Sequence, residues 1–366
     1  MPDALTVALS VDALGPRLTG IGRYCLQLTE RLPVRMGASN ISYFRGDHWL
    51  DDPQALLQDN WRPERRAVWR RQYENWQRRR KLQGTIVHSP NYFLPEWAER
   101  GVATIHDLSV FLFPETHPAE RVRAFEQGFE RTLARATKLI TDTETVRQEL
   151  IAMFGVRPDR VLAVPLAAST AGLKPDLARL QGLDLRLDGY ILCVSTFEPR
   201  KRIAELVRAY AALAPAIRAR FPLVLAGASG WRNDALMTEI EAAATDGTVR
   251  LLGFVDEPTL GALYAGAALF VYPSRYEGFG LPVLEAMAQG APCLIGDAAC
   301  LSEVAKGAAR IVQPDDLDAF ANGLLEALED ASWRCAASTA GRAVADTYSW
   351  DKCISETIEV YRSAAR

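Results

Sequence analysis

The chain of 366 residues contains no stretch approaching the roughly 20 uninterrupted apolar residues that a membrane-spanning helix needs. Its first residues, Met1-Pro-Asp-Ala, have neither the basic start nor the apolar run of a signal peptide, so we expect no cleaved leader. The six cysteines form no Cys-x-x-Cys pair, and the four histidines lie at no spacing that would complete a zinc site with them. The sequence therefore favours free, buried thiols in a reducing cytoplasm and predicts no metal site.

An excess of positive charge is also lacking. The net charge is −3, with 42 Lys and Arg residues against 45 Asp and Glu residues. Nucleic-acid-binding domains usually carry a basic excess, so we expect no nucleic-acid partner. Hydrophobic residues make up 49% of the chain, as in a globular protein, and its length favours two domains of roughly 150–200 residues each.

Short apolar runs alternate with segments of helical periodicity, which is typical of parallel α/β domains. Their nearly continuous apolar character suits strands covered by helices on both faces. The predicted strands are Leu5–Val11, Thr85–His88, Val102–Ile105, Leu139–Thr141, Val161–Val164, Tyr190–Val194, Pro222–Ala226, Val249–Leu252, Leu269–Tyr272 and Cys293–Ile295. The helices predicted among and after them include Ala204–Leu213, Pro258–Ala265 and Tyr348–Ala365.

A polar stretch without periodicity, residues 164–188, separates the two series of strands. We interpret it as a connector between an N-terminal domain, residues 1–170, and a C-terminal domain, residues 171–349. Two successive Rossmann-like, doubly wound domains are expected to face each other across a cleft at the carboxyl ends of their strands, where ligands of such folds bind.

A glycine loop follows the first strand and reads Gly20-Ile-Gly22-Arg-Tyr24-Cys25. A dinucleotide-binding loop would have a third glycine where Cys25 stands, so a dehydrogenase is disfavoured. Two glycines before a helix still allow the backbone to approach a phosphate or a sugar closely.

The segment that carries most chemical information is Tyr276-E-G-F-G-L-P-V-L-E-A-Met287, directly after a predicted strand. Pro282 suits the first turn of a helix, and the amides of Phe279, Gly280 and Leu281 at that helix start would form an anion site. Glu277 lies in the loop and Glu285 one turn into the helix, where carboxylates can accept hydrogen bonds from sugar or ribose hydroxyls. Two isolated glutamates would more often be a solvated residue and a partner of the helix dipole.

This segment resembles the E-x7-E signature of retaining glycosyltransferase family four, whose members have the GT-B fold of two Rossmann-like domains. The resemblance implies that Glu277 contacts the donor sugar and that Glu285 binds the ribose of the nucleotide. It also implies that Gly20 and Gly22 close on the donor phosphates and that Tyr24 lies on the acceptor side.

Further matches extend the resemblance over nearly the whole chain. Ser195-T-F-E-P-R-Lys201 is similar to the family's phosphate-binding segment, which implies that Arg200 and Lys201 neutralise the leaving phosphate, although Thr196 stands where many members have arginine. His106-Asp107 resembles the family's His-Asp segment and implies a histidine under the donor sugar and an aspartate that orients it or binds acceptor. Gly227, Phe254 and Val255 would border the base, and the last helix, residues 350–366, would cross back to the first domain.

One segment is both basic and aromatic. Residues 62–81 contain nine Lys and Arg residues against two glutamates. Trp69, Tyr73 and Trp76 share one face of a helix, beside the basic run Arg78, Arg79, Arg80 and Lys81. Such a helix can lie in the interface of an anionic membrane, whereas the alternative is an aromatic stripe packed on the core with a solvated basic face.

We therefore predict a metal-independent GT-B transferase that moves a hexose, with retained configuration, from a nucleoside-diphosphate sugar to a lipid-linked saccharide. No cofactor is expected, because the nucleotide sugar is a substrate. The resemblance is nearest to bacterial O-antigen and exopolysaccharide mannosyltransferases, which implies GDP-mannose first, a UDP-sugar second, and work in the cytoplasm at the inner face of the plasma membrane. Two alternatives stay open: a catalytically silent sugar-nucleotide-binding partner, and a sugar-nucleotide epimerase of similar architecture.

Overall fold

The computed structural model describes residues 5–59, 61–62, 82–169, 174–228, 230 and 233–366. The chain divides into two compact units. Unit 1 comprises Met1–Leu108, Arg123–Leu166 and Trp350–Arg366, and unit 2 comprises Ser109–Val122 and Ala167–Ser349. In the described ranges, no helix is long and apolar enough to cross a membrane.

The strands of the described residues are numbered in chain order. They are β1 (Val7–Ser10), β2 (Ile41–Arg45), β3 (His48–Leu50), β4 (Ile86–Ser89), β5 (Arg100–Ile105), β6 (Ala136–Thr141), β7 (Val161–Ala163), β8 (Ile191–Val194), β9 (Leu223–Ala226), β10 (Val249–Gly253), β11 (Leu269–Tyr272), β12 (Cys293–Gly296) and β13 (Ala309–Val312).

The α-helices of the same residues are numbered likewise. They are α1 (Gly20–Met36), α2 (Ser109–Leu112), α3 (Ala119–Arg135), α4 (Glu144–Phe154), α5 (Ala178–Gly182), α6 (Ile203–Ala211), α7 (Pro215–Arg220), α8 (Asp234–Ala243), α9 (Glu257–Gly266), α10 (Leu281–Gln289), α11 (Ala299–Ala305), α12 (Leu317–Glu329), α13 (Ala331–Ala345) and α14 (Trp350–Ala365).

The sheet of unit 1 has the order β3-β2-β1-β4-β5-β6-β7. All its pairs are parallel except β2 with β3, which form an antiparallel edge. Strand β1 is buried along its whole length, as expected for a strand covered on both faces. Helix α14 packs on β4, β5 and β6, so the end of the chain completes the cover of this sheet.

A buried polar network ties α14 to the sheet of unit 1. His88 is fully buried; its Nδ1 lies 2.7 Å from the hydroxyl of Tyr361, and its Nε2 lies 2.9 Å from the hydroxyl of Thr104. Burial, helped by the nearby His106, lowers the pKa of His88 to about 3, so this imidazole is neutral. A neutral imidazole has one donor and one acceptor nitrogen, and the two hydroxyls satisfy both.

The sheet of unit 2 has the order β10-β9-β8-β11-β12-β13, and all its pairs are parallel. This is the strand order of a Rossmann fold, with the topological switch point between β8 and β11. One face is filled by a large apolar cluster that includes Phe197, Tyr210 and Phe320. The cluster makes the sheet a rigid base, and the loops that leave its carboxyl ends carry the candidate site.

The prediction of two Rossmann-like, parallel-sheet domains is confirmed, and each of the ten predicted strands is present with ends that differ by at most three residues. The prediction missed β2, β3 and β13. These strands lie at or beside sheet edges, where one side of the strand faces less core, so their sequences lack a continuous apolar run.

The domain limits differ from the prediction in detail. The units divide between Leu166 and Ala167 rather than at residue 170. Residues 109–122 belong to unit 2, although the sequence placed them inside the first domain. In this segment Phe113 packs against Tyr276 of the same unit, with ring centroids 5.4 Å apart, a contact that no sequence periodicity reveals.

Candidate active site

Two loops meet where β8 and β11 end, at the switch point of the unit 2 sheet. The first loop, residues 195–202, connects β8 with α6, and the second, residues 273–280, connects β11 with α10. Their backbones are joined by a hydrogen bond of 3.0 Å from the amide of Arg275 to the carbonyl of Arg200. In a doubly wound sheet this position is where a ligand binds.

The first loop turns sharply and buries its cations. Pro199–Lys201 form one turn of 3-10 helix, closed by a bond of 3.0 Å from the amide of Lys201 to the carbonyl of Glu198. Arg202 then adopts a left-handed conformation, with φ of 53°, and α6 begins. Arg200 and Lys201 are each only 7% exposed, so their charges need partners inside the protein.

Glu277 is the main partner of Lys201. The two side chains form a close ion pair, and the Lys201 amine also lies 3.3 Å from the hydroxyl of Tyr272. Burial by itself would raise the pKa of Glu277, but the charges of Lys201 and Arg200 outweigh it and hold that pKa below its ordinary value. Glu277 is therefore an ionised carboxylate held between two cations.

Arg200 is engaged by a second carboxylate, which the sequence analysis did not single out. Its Nη2 donates to Oε1 of Glu198 at 2.9 Å, and its Nη1 donates to the carbonyl of Tyr276 at 2.5 Å. The distance from Nη1 to Oε2 of Glu277 is longer, 3.8 Å. Glu198 is 2% exposed, and its Oε2 has no hydrogen-bond partner in the described part of the chain. Arg200 thus braces both loops, and Lys201 is the cation attached to the motif glutamate.

The start of α10 depends on a glycine. Gly280 precedes the helix with φ of 93°, and a Cβ there would collide with the side chain of Leu301. Pro282 occupies the first turn, where its missing N–H costs no helical hydrogen bond. Phe279 and Leu281 are buried on either side of this turn. The geometry suits the predicted approach of an anion to the backbone at the helix start.

Glu285, the second motif glutamate, is held by hydroxyl groups. It is 1% exposed, its Oε1 accepts a hydrogen bond of 3.0 Å from Ser169, and its Oε2 accepts one of 3.1 Å from Tyr264. Neither hydroxyl could be predicted from the sequence, because they lie 116 and 21 residues from Glu285 in the chain.

The residues predicted to border the nucleotide base follow β9 and β10, the two strands at one side of the unit 2 sheet. Gly227 has φ of 139°, and a Cβ at this position would collide with the carbonyl oxygen of Ser195. The glycine therefore lets the β9 loop lie directly against the first loop of the site. Phe254 is 55% exposed, which is unusual for its size, and Val255 is partly exposed.

In unit 1, His106 follows β5 and is paired with Asp142, which follows β6. Its Nδ1 lies 2.7 Å from Oδ2 of Asp142, and its Nε2 donates to the carbonyl of Pro90 at 2.8 Å. Burial by itself would lower the pKa of His106, but the Asp142 carboxylate outweighs it and raises that pKa. Oδ1 of Asp142 is buried and has no partner among the described residues. Since both ring nitrogens are engaged, the structure favours a protonated His106 that is held rigidly.

Tyr24, which the resemblance puts on the acceptor side, packs beside His106, and its acceptor role stays a prediction. Tyr24 is 1% exposed, and its hydroxyl lies 3.2 Å from that of Thr104. Its ring meets His106 edge-on, with centroids 5.4 Å apart. Tyr24 therefore supports the histidine from inside the core, because α1 turns this residue toward the sheet. Asp107 is partly exposed, and its backbone N–H donates to Tyr92 at 3.1 Å.

The glycine loop forms the start of α1. The helix begins at Gly20, and the hydroxyl of Thr19 caps it by accepting from the amide of Gly22 at 3.4 Å. A Cβ on Gly22 would lie 2.9 Å from the carbonyl of Ala13, so a side chain would force the turn before the helix open. These glycines allow close packing of the backbone.

Two further predictions, membrane binding and independence of metal ions, are not tested by the geometry of these residues. The residues predicted to face a membrane fall within 63–81, outside the described residues: Trp69, Tyr73, Trp76, Arg78, Arg79, Arg80 and Lys81. In the ranges that are described, no three His, Cys, Asp or Glu side chains are grouped so that they could hold a metal ion.

Comparison with known proteins relates both units to glycosyltransferases. Residues 187–344 match the family described as glycosyl transferases group 1. The sequence is 37% identical to O-antigen chain mannosyltransferase B of Escherichia coli, over 98% of this chain and 100% of that protein.

Two solved structures share the fold. Sucrose-phosphate synthase of Thermosynechococcus elongatus has a TM-score of 0.76 and 22% identity, with 98% of each chain covered. WaaG, a glycosyltransferase involved in lipopolysaccharide biosynthesis, has a TM-score of 0.71 and 17% identity, with 96% of this chain and 98% of WaaG covered. The fold is therefore GT-B.

The pairing of His106 with Asp142 leads to a testable prediction. Replacing Asp142 by Asn removes the charge that raises the pKa of His106 and leaves the burial that lowers it. We expect the pKa of His106 to lie above 6.5 in the wild type and below it in Asp142→Asn. NMR of protein labelled at histidine nitrogens measures both values as a function of pH. His88, with a pKa of about 3, is an internal control that should remain neutral in both proteins. An unchanged pKa of His106 would contradict the pairing.

Proposed function

The chain belongs to the group 1 glycosyltransferase family, and on that basis we propose that it transfers mannose from GDP-mannose to a lipid-linked saccharide with retention of configuration. The observation that carries this proposal is the buried pair of Lys201 and Glu277 at the switch point of unit 2. Buried charges are costly, so a pair placed where ligands of this fold bind points to a role in the reaction.

In the proposed reaction, Lys201 and the start of α10 stabilise the negative charge that grows on the leaving diphosphate. The bond from the anomeric carbon to the phosphate oxygen breaks, the acceptor oxygen bonds to that carbon from the same face, and the acceptor proton passes to the departing phosphate. The two carboxylates at the switch point are paired with cations, Glu277 with Lys201 and Glu198 with Arg200, which supports a reaction without a protein nucleophile. Glu277 would accept hydrogen bonds from the sugar hydroxyls.

The remaining site residues have supporting roles in this proposal. Arg200 is bound to Glu198 and to the Tyr276 carbonyl, so it holds the two loops in register while Lys201 meets the phosphate. His106 contributes a fixed positive charge rather than a base, because both its nitrogens have partners. The exposed ring of Phe254 offers a surface on which the nucleotide base can stack.

GDP-mannose is the first choice of donor because this chain resembles O-antigen mannosyltransferases, and O-antigen chain mannosyltransferase B matches it over 98% of its length. A UDP-sugar is the second. We propose that no metal ion is required, since Lys201 and the helix start supply the positive charge. The chain has one Asp-x-Asp triplet, residues 316–318, and there Asp316 caps α12 by accepting from the amide of Ala319.

A transfer assay tests this function. With GDP-mannose and octyl α-mannoside, we expect release of GDP and an α-linked product in the presence of EDTA, and less product from UDP-glucose. Product configuration is read by NMR. A β-linked product would contradict retention, and strict dependence on added Mn²⁺ or Mg²⁺ would contradict the metal-free mechanism. Binding of GDP without transfer from any donor would favour the silent-partner alternative.

Lys201→Ala should lower kcat at least about a hundredfold, the effect of losing one charge that stabilises a transition state. The variant leaves the carboxylate of Glu277 buried without its closest cation, so we also expect it to lose stability. Lys201→Ala/Glu277→Gln should regain the lost Tm and remain inactive. Lys306→Ala, at an exposed lysine of unit 2, is the control and should keep full activity. Near-normal kcat in folded Lys201→Ala would contradict the proposed role.

We further propose that residues 62–81 hold the enzyme at an anionic membrane, where a lipid-linked acceptor would be found. The nine basic residues of this segment should each favour anionic lipid by about 1 kcal/mol, and salt should screen the attraction. An acceptor carried in the same membrane would then be presented at high local concentration.

Vesicle co-sedimentation tests the segment. Wild type should bind vesicles that contain anionic lipid in low salt but not in high salt, and changing residues 78–81 to Gln should abolish binding while sparing transfer to octyl mannoside. A matched control removes four exposed charges elsewhere in unit 1, at Arg131, Arg157, Lys352 and Arg362. Equal binding by both variants would show that general charge, not this segment, is responsible.

A further inference from the structure

The cations of the candidate site in unit 2 are neutralised by carboxylates of the same two loops. The cluster consists of two cations and two carboxylates and has no net charge: Arg200, Lys201, Glu198 and Glu277. None of these four side chains is more than 10% exposed. A nucleoside-diphosphate sugar carries a negative charge on each phosphate, and this neutral cluster offers it no excess of positive charge.

The amine of Lys201 is held chiefly by Glu277. The two groups form a close ion pair that joins the two loops. The amine also donates to the hydroxyl of Tyr272 at 3.3 Å, whereas its distance to Oε1 of Glu198 is longer, 4.0 Å. For Lys201 to stabilise a leaving phosphate, the phosphate oxygens have to replace at least part of its contact with Glu277.

Glu277 keeps a cation nearby when this contact opens. Its Oε2 lies 3.8 Å from Nη1 of Arg200, and that guanidinium is anchored by Glu198 and by the carbonyl of Tyr276. In the proposed reaction the same carboxylate accepts hydrogen bonds from the sugar hydroxyls. The sugar therefore supplies donors that replace the lysine, and free nucleoside diphosphate supplies none.

We propose that Glu277 and the donor diphosphate compete for Lys201, so that the ion pair disfavours free nucleoside diphosphate relative to the nucleotide sugar. This competition rests on the proposed function, in which Lys201 binds the diphosphate and Glu277 binds the sugar. Both ligands have to displace the carboxylate from the amine, but only the nucleotide sugar compensates it. The cost of opening the pair lowers the apparent affinity of a ligand that needs it open. The nucleoside diphosphate left after transfer is thus held less tightly.

Calorimetry with GDP and with GDP-mannose, in the absence of acceptor, tests the competition; UDP and UDP-glucose are run in parallel, and the same shifts are expected for the nucleotide that the wild type prefers. Glu277→Gln releases Lys201, so we expect it to bind GDP at least about fivefold more tightly than wild type, because no charged hydrogen bond has to be displaced. The ratio of the Kd of GDP to that of GDP-mannose should fall at least about tenfold. Glu277→Asp keeps the charge but shortens the side chain, and it should shift both quantities in the same direction by a smaller factor.

Two comparisons separate this competition from a general effect of charge. Asp297 is half-exposed, follows β12 at the same edge of the sheet, and lies 3.7 Å from Nη1 of Arg202. Asp297→Asn removes a negative charge there without touching Lys201, so it should change the Kd of GDP by less than about twofold. In a Lys201→Ala background, Glu277→Gln should bring no gain in GDP affinity, whereas a purely electrostatic effect would persist.

The outcomes distinguish the competition from the function on which it rests. If Glu277→Gln and Glu277→Asp are folded, as judged by Tm, and bind GDP no more tightly than wild type, the competition is overturned, and transfer of mannose by the wild type still supports the proposed function. A gain that persists without Lys201 also overturns it, because the lysine is then not the contested group. A wild type that binds neither GDP nor UDP overturns both.

Discussion

The buried ion pair between Lys201 and Glu277 is the interaction on which the site of unit 2 depends. Removing each charge from water costs several kcal/mol, and only close geometry with further hydrogen bonds offsets that cost. Arg200, which is hydrogen-bonded to Glu198, lies beside the pair. A backbone hydrogen bond from Arg275 to Arg200 joins the two loops. The sheet below is packed by a large apolar cluster, and the charged pair lies outside it, in the loops that follow the strands.

Unit 1 also contains a buried pair of ionisable side chains. His106 and Asp142 leave neighbouring strands, and both are buried with a short contact between them. Tyr24 packs on the histidine, and His88 joins Thr104 to Tyr361 of the last helix. The neutral His88 and the protonated His106 lie in one core, yet opposite environments separate their pKa values. The Asp142 carboxylate raises the pKa of His106, whereas burial lowers the pKa of His88.

Much of the fold and of the candidate site of unit 2 could be predicted from the sequence, because their signals are local. Apolar runs predicted ten strands. The segment from Glu277 to Glu285 predicted a loop, the start of a helix and two carboxylates near it. Edge strands such as β13 were missed, since half-exposed strands lack such runs. The burial of Tyr24 was not predicted, because a motif position does not say which side of a helix faces the core.

The sequence alone determined the family resemblance, the alternation of strands and helices, and the identity of the motif residues, since each is written in consecutive positions. Only the tertiary structure decided which charges are paired. Lys201 with Glu277, Asp142 with His106, and Ser169 and Tyr264 with Glu285 are contacts between side chains on different segments of the chain. Packing brings those elements together through the whole apolar core, so no short stretch of sequence contains the information.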